Sequence, residues 1–336
     1  MKKFFETRTL GRSLRSAALA SVFGLTAAFG VAAEEAVIRA VTYASPNAYD
    51  ESLTIFKEYV KRVNERAAGK MRIDYVGGPE VVGVRDQVGA LRSGVVDMVM
   101  TFTTHESLVP EIGTVGISHL TPAEEREVGY FDLIDAAHAK VGMRAIGRVS
   151  TNSGFYIFSR EKIATLADFN GLRIRSHAGY DSFFKALGAI PIHMKISEIY
   201  PALERGLVDA APYTLFVHSL GVHEVTKYAI ADAFWPSHTV WTYINADKLA
   251  SLPEDMQKLL MDVQIELEDD MGPIIAEMKA QERKKLEDGG VEFVDLPEED
   301  RQKYIDLADE ARWQSVEGKL DAETIKKIRA MIAPDP

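Results

Sequence analysis

Two stretches of the chain follow one plan. "ALRSGVVDMVMT" (residues 90–101) and "ALERGLVDAAPYT" (residues 202–214) each read as a short helix, a glycine, and an apolar strand opening on Val-Asp. Gly94 and Gly206 stand where a helix takes a left-handed C-cap. Upstream, "MRIDYVGG" (residues 71–78) lines up with "LRIRSHAG" (residues 172–179), a strand ahead of the helix in each half. The same order twice in one chain predicts two comparable α/β lobes with mainly parallel sheets and right-handed crossovers. "AVIRAVTYA" (residues 36–44) reads as the first strand. The segment after it carries Leu53, Phe56, Val60, Val63 and Ala67 on one helical stripe and closes at Gly69. Past residue 245, "SLPEDMQKLLMDVQIELEDDMG" and "IIAEMKAQERKKLEDGG" read as two long helical segments, followed by a short strand and a further helix. Helices of that length can cross both lobes.

The first 33 residues read differently. "MKKFFETRTLGRSLR" holds five basic residues and one acid, then "SAALASVFGLTAAFG" is apolar and "VAA" offers a small-x-small exit. This is the pattern of a secretory signal cleaved after Ala33. The apolar run, broken by serine and threonine, falls short of the roughly 20 residues of a span. The chain has no cysteine, which excludes a lipidated cysteine, disulfides and thiolate chemistry. Without residues 1–33 the chain keeps 34 basic and 49 acidic residues, a net charge of −15. Such a surface disfavours nucleic acid and anionic membranes, and an anionic ligand would need local arginines.

The chain lacks a G-x-S-x-G elbow, H-E-x-x-H, a phosphate-binding G-x-x-x-x-G-K-[ST] loop and G-x-G-x-x-G, so nothing marks it as an enzyme, and no cofactor or metal is expected. His218, His223 and Glu224 are close in sequence but read as a solvated face rather than a metal site. Ligands of open α/β sheets sit beyond the carboxyl ends of strands. That rule gathers "YVGGPE", "MTFTTHES", "RSHAGYD" and "APYTLF" around one cleft. In "LRIRS", Arg173 and Arg175 share one strand face and Leu172 and Ile174 the other. Arg175, nearer the carboxyl end, is assigned to the cleft and Arg173 to the solvated edge. The match to residues 71–78 sets Asp74 opposite Arg175, so the positive charge is not an architectural need. Its partner is an anionic ligand or a protein carboxylate, Asp181 or Glu80. Arg148, Asn152 and Tyr156 from "GRVSTNSGFYIF", Trp235 and His238 from "AFWPSHTVWTYIN", Tyr213 and Asn47 complete the candidate lining. Trp241 is a further aromatic of that segment.

These motifs resemble a known family. "IFKEYVKRVNERAAGKMRIDY", "VGALRSGVVDMVM", "LADFNGLRIRSHAGYDSFFKALGAIPIHMKISEIYPALERGLVDA" and "INADKLASLPEDMQKLL" are similar to solute-binding proteins of tripartite ATP-independent periplasmic (TRAP) transporters. The resemblance implies a two-lobed periplasmic binding protein fold, type II-like, with a central ligand cleft and long C-terminal helices. It implies lobe I from 34–150 plus about 240–280, lobe II from 151–239 plus about 281–336, and a periplasmic location. It also implies a small organic acid as ligand, delivered to TRAP permease subunits, with Arg175 in a bidentate pair with a carboxylate. A monomer is expected. Two departures stand out: Tyr156 where relatives often carry another arginine, and Ala210-Ala211-Pro212-Tyr213 after Val-Asp. Both predict a less polar pocket, suited to a carboxylate with an apolar or aromatic body. The alternatives are a receptor for another importer or a sensor and, from a different class, a secreted enzyme using the same cleft.

Overall fold

The computed structural model describes residues 35–149, 154–235 and 239–332. The leader read in residues 1–33, and the candidates Asn152 and His238, lie outside the described residues. Lobe I opens with β1 (Ala36–Thr42), α1 (Glu51–Ala67), β2 (Met71–Gly77), α2 (Gln87–Arg92) and β3 (Met98–Phe102). It continues with α3 (Pro122–Glu127), α4 (Tyr130–Ala139) and β4 (Met143–Arg148). Lobe II holds β5 (Tyr156–Ser159), β6 (Arg173–Ser176), α5 (Asp181–Ala186), β7 (Ile190–His193), α6 (Ile199–Glu204), β8 (Ala210–Tyr213), α7 (Val222–Val225) and β9 (Tyr228–Ile230). The chain returns through β10 (Val240–Asn245) and α8 (Ala246–Ser251), and then runs the long α9 (Glu254–Asp288). It closes with β11 (Glu292–Val294), α10 (Glu298–Val316) and α11 (Ala322–Ile332).

Each lobe has one sheet, ordered β2-β1-β3-β10-β4 and β11-β9-β5-β8-β6-β7. The β2-β1-β3 and β7-β6-β8 halves are parallel, joined by helical crossovers. Strands β10 and β5 run antiparallel to their neighbours, because each enters its sheet from the other lobe. The two crossings pair with one another: Phe155 N–H donates to Trp235 O at 2.9 Å, and Phe234 N–H to Phe155 O at 3.0 Å.

The repeat is present, with one correction. Asp97 accepts from the backbone N–H of Arg39 at 2.8 Å and from its guanidinium. Asp209 accepts in the same way from Arg173, whose N–H is 2.9 Å away. In both lobes the backbone N–H of that aspartate donates back to the arginine's carbonyl. The counterpart of β6 is therefore β1, not β2, and Arg175 corresponds to Val41 rather than Asp74. The glycines before each Val-Asp do take the left-handed conformation, with φ of 73° at Gly94 and 65° at Gly206.

Helix α1 starts where the Asp50 side chain accepts from Leu53 N–H. It buries Leu53, Ile55, Phe56, Tyr59 and Val63 against β1, β2 and α9, while Val60 is only half-buried. The two helical segments expected after residue 253 are one 35-residue helix that runs through Pro273. The apolar positions on either side of the proline, Met271 and Ile275, stay in phase and both enter the lobe I core, so the break costs little packing. Farther along, Leu286 of the same helix enters the lobe II core. Helix α10 packs Tyr304, Ala308 and Ala311 on lobe II, then Trp313 and Val316 on lobe I. Helix α11 places Ile328 and Ile332 in lobe I, so the expected assignment of 281–336 to lobe II does not hold at its end.

Candidate functional site

The carboxyl ends of β1, β3, β6 and β8 face one cleft, made of two adjoining cavities of about 1530 and 480 Å³. Arg175 lines both, together with Phe102, Thr104, His177, Ile196 and Tyr213. Its sequence explains the placement: Ile174 goes into the lobe II core, so the alternation of β6 turns Arg175 to the opposite face. Arg175 is only 7 % exposed. Its Nε has no hydrogen-bond partner among the described residues, and its Nη2 reaches only the Met194 carbonyl, at 3.4 Å. Burial pulls its pKa below the ordinary value, and Tyr180 and Tyr213 beside it offset this only in part.

Neither protein carboxylate proposed as a partner serves it. Asp181 accepts from Ser176 Oγ at 2.7 Å and pairs with His193 Nε2 at 2.8 Å. Glu80 accepts from Gly78 N–H at 2.8 Å and from Ser45 Oγ. Among the described residues, no carboxylate stands within ion-pair distance of Arg175. Arg173 is bound to Asp209 at 2.6 Å on a half-exposed edge.

The other candidates divide. Tyr213 lines both cavities; burial, with the negative charge of Asp50 in lobe I, pushes its phenol up to about 12. Trp235 lines the smaller cavity, its ring 5.0 Å from Tyr180 and its Nε1 close over Gly116. Three others are not in the lining. Tyr156 is buried in the lobe II core. Asn47 is exposed on the loop after β1, while its neighbours Ser45, Ala48 and Asp50 line the larger cavity. Arg148 is wholly buried and committed to Glu125 at 3.1 Å and the Leu120 carbonyl at 2.6 Å. That pair adjoins a second one between Arg126 and Glu268, and Gln264 of α9 bonds the Arg148 carbonyl at 3.2 Å. Together they anchor the end of β4 where the chain leaves lobe I. Trp241 lies in the lobe I core.

Of the four gathered segments, "MTFTTHES", "RSHAGYD" and "APYTLF" contribute lining residues, whereas "YVGGPE" gives way to residues 83–86. Besides Phe102, Thr104 and Ile196, the candidates missed His177, Tyr180 and Phe155, which line the smaller cavity with Trp235. His177 had a signal, since it continues the two-residue alternation of Arg173 and Arg175. Among the described residues, no group of three His, Asp or Glu side chains is placed to hold a metal ion. His218 instead bonds Glu282 at 2.9 Å.

Residues 43–318 match the family model of the bacterial extracellular solute-binding proteins, family 7 (DctP). The chain belongs to this family. The family 7 protein is 30 % identical over 192 residues to the C4-dicarboxylate-binding periplasmic protein DctP of Rhodobacter capsulatus, covering 54 % of this chain and 56 % of that one. It is 24 % identical over 255 residues to the 2,3-diketo-L-gulonate-binding periplasmic protein YiaO of Escherichia coli, covering 71 % and 75 %. Among solved structures, it superposes on a TRAP periplasmic solute-binding protein of Desulfovibrio salexigens with bound orotic acid. The TM-score is 0.75 at 20 % identity, over 88 % of this chain and 97 % of that one. A TRAP protein of Shewanella oneidensis with bound succinate gives 0.71 at 17 %, over 88 % and 99 %. At these identities the likeness establishes the two-lobed fold of the family 7 protein.

Proposed function

We propose that the protein is an exported receptor that holds a small organic acid by its carboxylate on Arg175, between two lobes, and hands it to a TRAP-type secondary transporter. The observation that carries this reading is the buried guanidinium without a protein counter-charge at the junction of the two cavities. A cation in that state favours an anion with two parallel acceptor oxygens, as a carboxylate offers. Family membership supports the receptor role, and the signal-like residues 1–33 support export with cleavage after Ala33. Relatives whose names record C4-dicarboxylate, 2,3-diketo-L-gulonate or succinate as ligand support an organic acid.

The ligand's body goes into the smaller cavity. Its walls include Phe102, Phe155, Tyr180, Tyr213 and Trp235, which favours an acid with an apolar or aromatic body over a strongly hydrophilic diacid. Micromolar binding needs about 8 kcal/mol, and one charge-assisted hydrogen bond gives about 1.5–3 kcal/mol. Burial of the body supplies the rest. The test is a thermal-shift screen of small carboxylic and sulfonic acids on residues 34–336, stripped of ligand by unfolding and refolding. A ligand at a hundred times its Kd adds about 2.7 kcal/mol of stability. Shifts confined to a few related monocarboxylates support the reading, and no shift across the library rejects it.

A further inference from the structure

His177 sits two residues after Arg175 and lines both cavities. It caps the turn after β6: its Nδ1 accepts the backbone N–H of Gly179 at 3.0 Å. A neutral imidazole that accepts at Nδ1 carries its proton on Nε2, so the ring is fixed as a donor. The Tyr180 ring lies against the imidazole, its centroid 3.8 Å away and its plane tilted by 43°. The nearby Asp181 is already engaged by Ser176 and His193 and does not draw the imidazole away. His177 keeps an exposed edge on the cleft, and partial desolvation there together with the charge of Arg175 holds it below its ordinary pKa. Among the described residues, its Nε2–H has no protein acceptor.

The fork of Arg175 takes both oxygens of one carboxylate. Side chains two apart on a strand are about 6.6 Å apart at their roots. The imidazole donor therefore stands beside the next atoms of the ligand, not at the carboxylate itself. We propose that His177 is a second ligand contact, its Nε2–H donating to an oxygen on the carbon next to the carboxylate, so that the site prefers 2-oxo and 2-hydroxy acids to plain carboxylic acids. The inference rests on the reading of Arg175 as the carboxylate anchor.

The experiment is calorimetry with matched pairs: pyruvate and propanoate, 2-oxobutanoate and butanoate, phenylpyruvate and 3-phenylpropanoate. The unaltered protein, His177→Phe, His177→Asn and Arg175→Met are compared. In the unaltered protein the 2-oxo member binds about 5- to 30-fold tighter, the effect of one hydrogen bond. His177→Phe keeps a flat ring on Tyr180 and brings the ratio to about one, with the plain acid within about threefold of its original affinity. His177→Asn keeps an acceptor for Gly179 N–H and also loses the preference, which separates recognition from folding of the turn. A ratio unchanged in His177→Phe, or an equal loss for both members of a pair, overturns the role of His177. No binding of any of the six acids to the unaltered protein overturns the 2-oxo acid preference, and undiminished binding in Arg175→Met overturns the carboxylate reading itself.

Discussion

Arg175→Met separates ligand binding from folding, and the two effects have opposite signs. In the ligand-free protein the guanidinium is 7 % exposed with no carboxylate near it, so its burial is a cost that folding bears. Methionine matches the apolar stem of the arginine, stops short of the guanidinium, and carries no charge. Replacing buried charge with apolar volume stabilises by about 1–2 kcal/mol, which raises Tm by about 2–3 °C for a chain of this size. With ligand the sign reverses, because the carboxylate loses both hydrogen bonds and stays buried without a counter-charge. That costs about 2–4 kcal/mol, or roughly 30- to 1,000-fold in Kd. Differential scanning calorimetry of the stripped proteins reads the first effect, and isothermal titration with the best acid from the screen reads the second. A variant that melts lower than the unaltered protein and binds equally well refutes the reasoning, since Arg175 would then be a structural cation.

Four further outcomes follow from the same contacts. Arg148→Met leaves the buried Glu125 without its counter-charge, so urea unfolding should show a loss of about 3 kcal/mol while acid affinity stays within about twofold. Arg173→Ala removes a half-exposed pair with Asp209 and costs less than about 1 kcal/mol by the same assay, with no change in affinity. A Cβ at Gly116 would lie 2.6 Å from Trp235 Nε1, so Gly116→Ala displaces the indole. It should weaken acids with a bulky body about tenfold in calorimetry and leave pyruvate-sized acids nearly unaffected. In lobe I, His105 and His138 share a hydrogen bond of 2.8 Å between their Nε2 atoms, and His138 donates from Nδ1 to Ile134 O. Burial lowers His105 from 6.5 to about 3 and also lowers His138. Protons then bind the unfolded chain first, so this contribution is complete above pH 6.5 and declines as pH falls towards 3. By pH 5 His105 alone costs about 2 kcal/mol. Equal urea midpoints at pH 7.5 and 5 would refute the neutral pair.

The halves of the repeat were not equally legible. Val-Asp after a glycine-capped helix marked β3 and β8 correctly, because Asp97 and Asp209 do one job: each ties down the arginine of the neighbouring strand. The strand upstream was matched to the wrong partner. Arg39, Arg72 and Arg173 each sit in a similar apolar run, and nothing local tells which arginine the aspartate meets across the sheet. Arg175 was legible because an arginine on the face opposite Ile174, at a carboxyl end, needs something to neutralise it. Arg148 looked the same by composition. Its partner Glu125 lies in another element 23 positions back, and only the tertiary fold, with α3 packed on α4 and α9, brings them together. Tyr156, at the head of β5, faces the core rather than the cleft, a matter of which side of the sheet the crossing strand presents.

Helix α9 gives the molecule a mechanical property. It is a rod seated in lobe I up to Ile275 and in lobe II at Leu286, so any change in the angle between the lobes loads it as a beam. Pro273 lacks an N–H and leaves the Asp269 carbonyl without its helical bond at the end of the part held in lobe I. Bending stiffness is therefore lowest there. From the proline to Asp288 the helix extends about 22 Å, so a flexure of about 10° carries its far end about 4 Å. If a ligand draws the lobes together, the rod flexes first at Pro273, and the elastic cost of that flexure is subtracted from what the ligand gains.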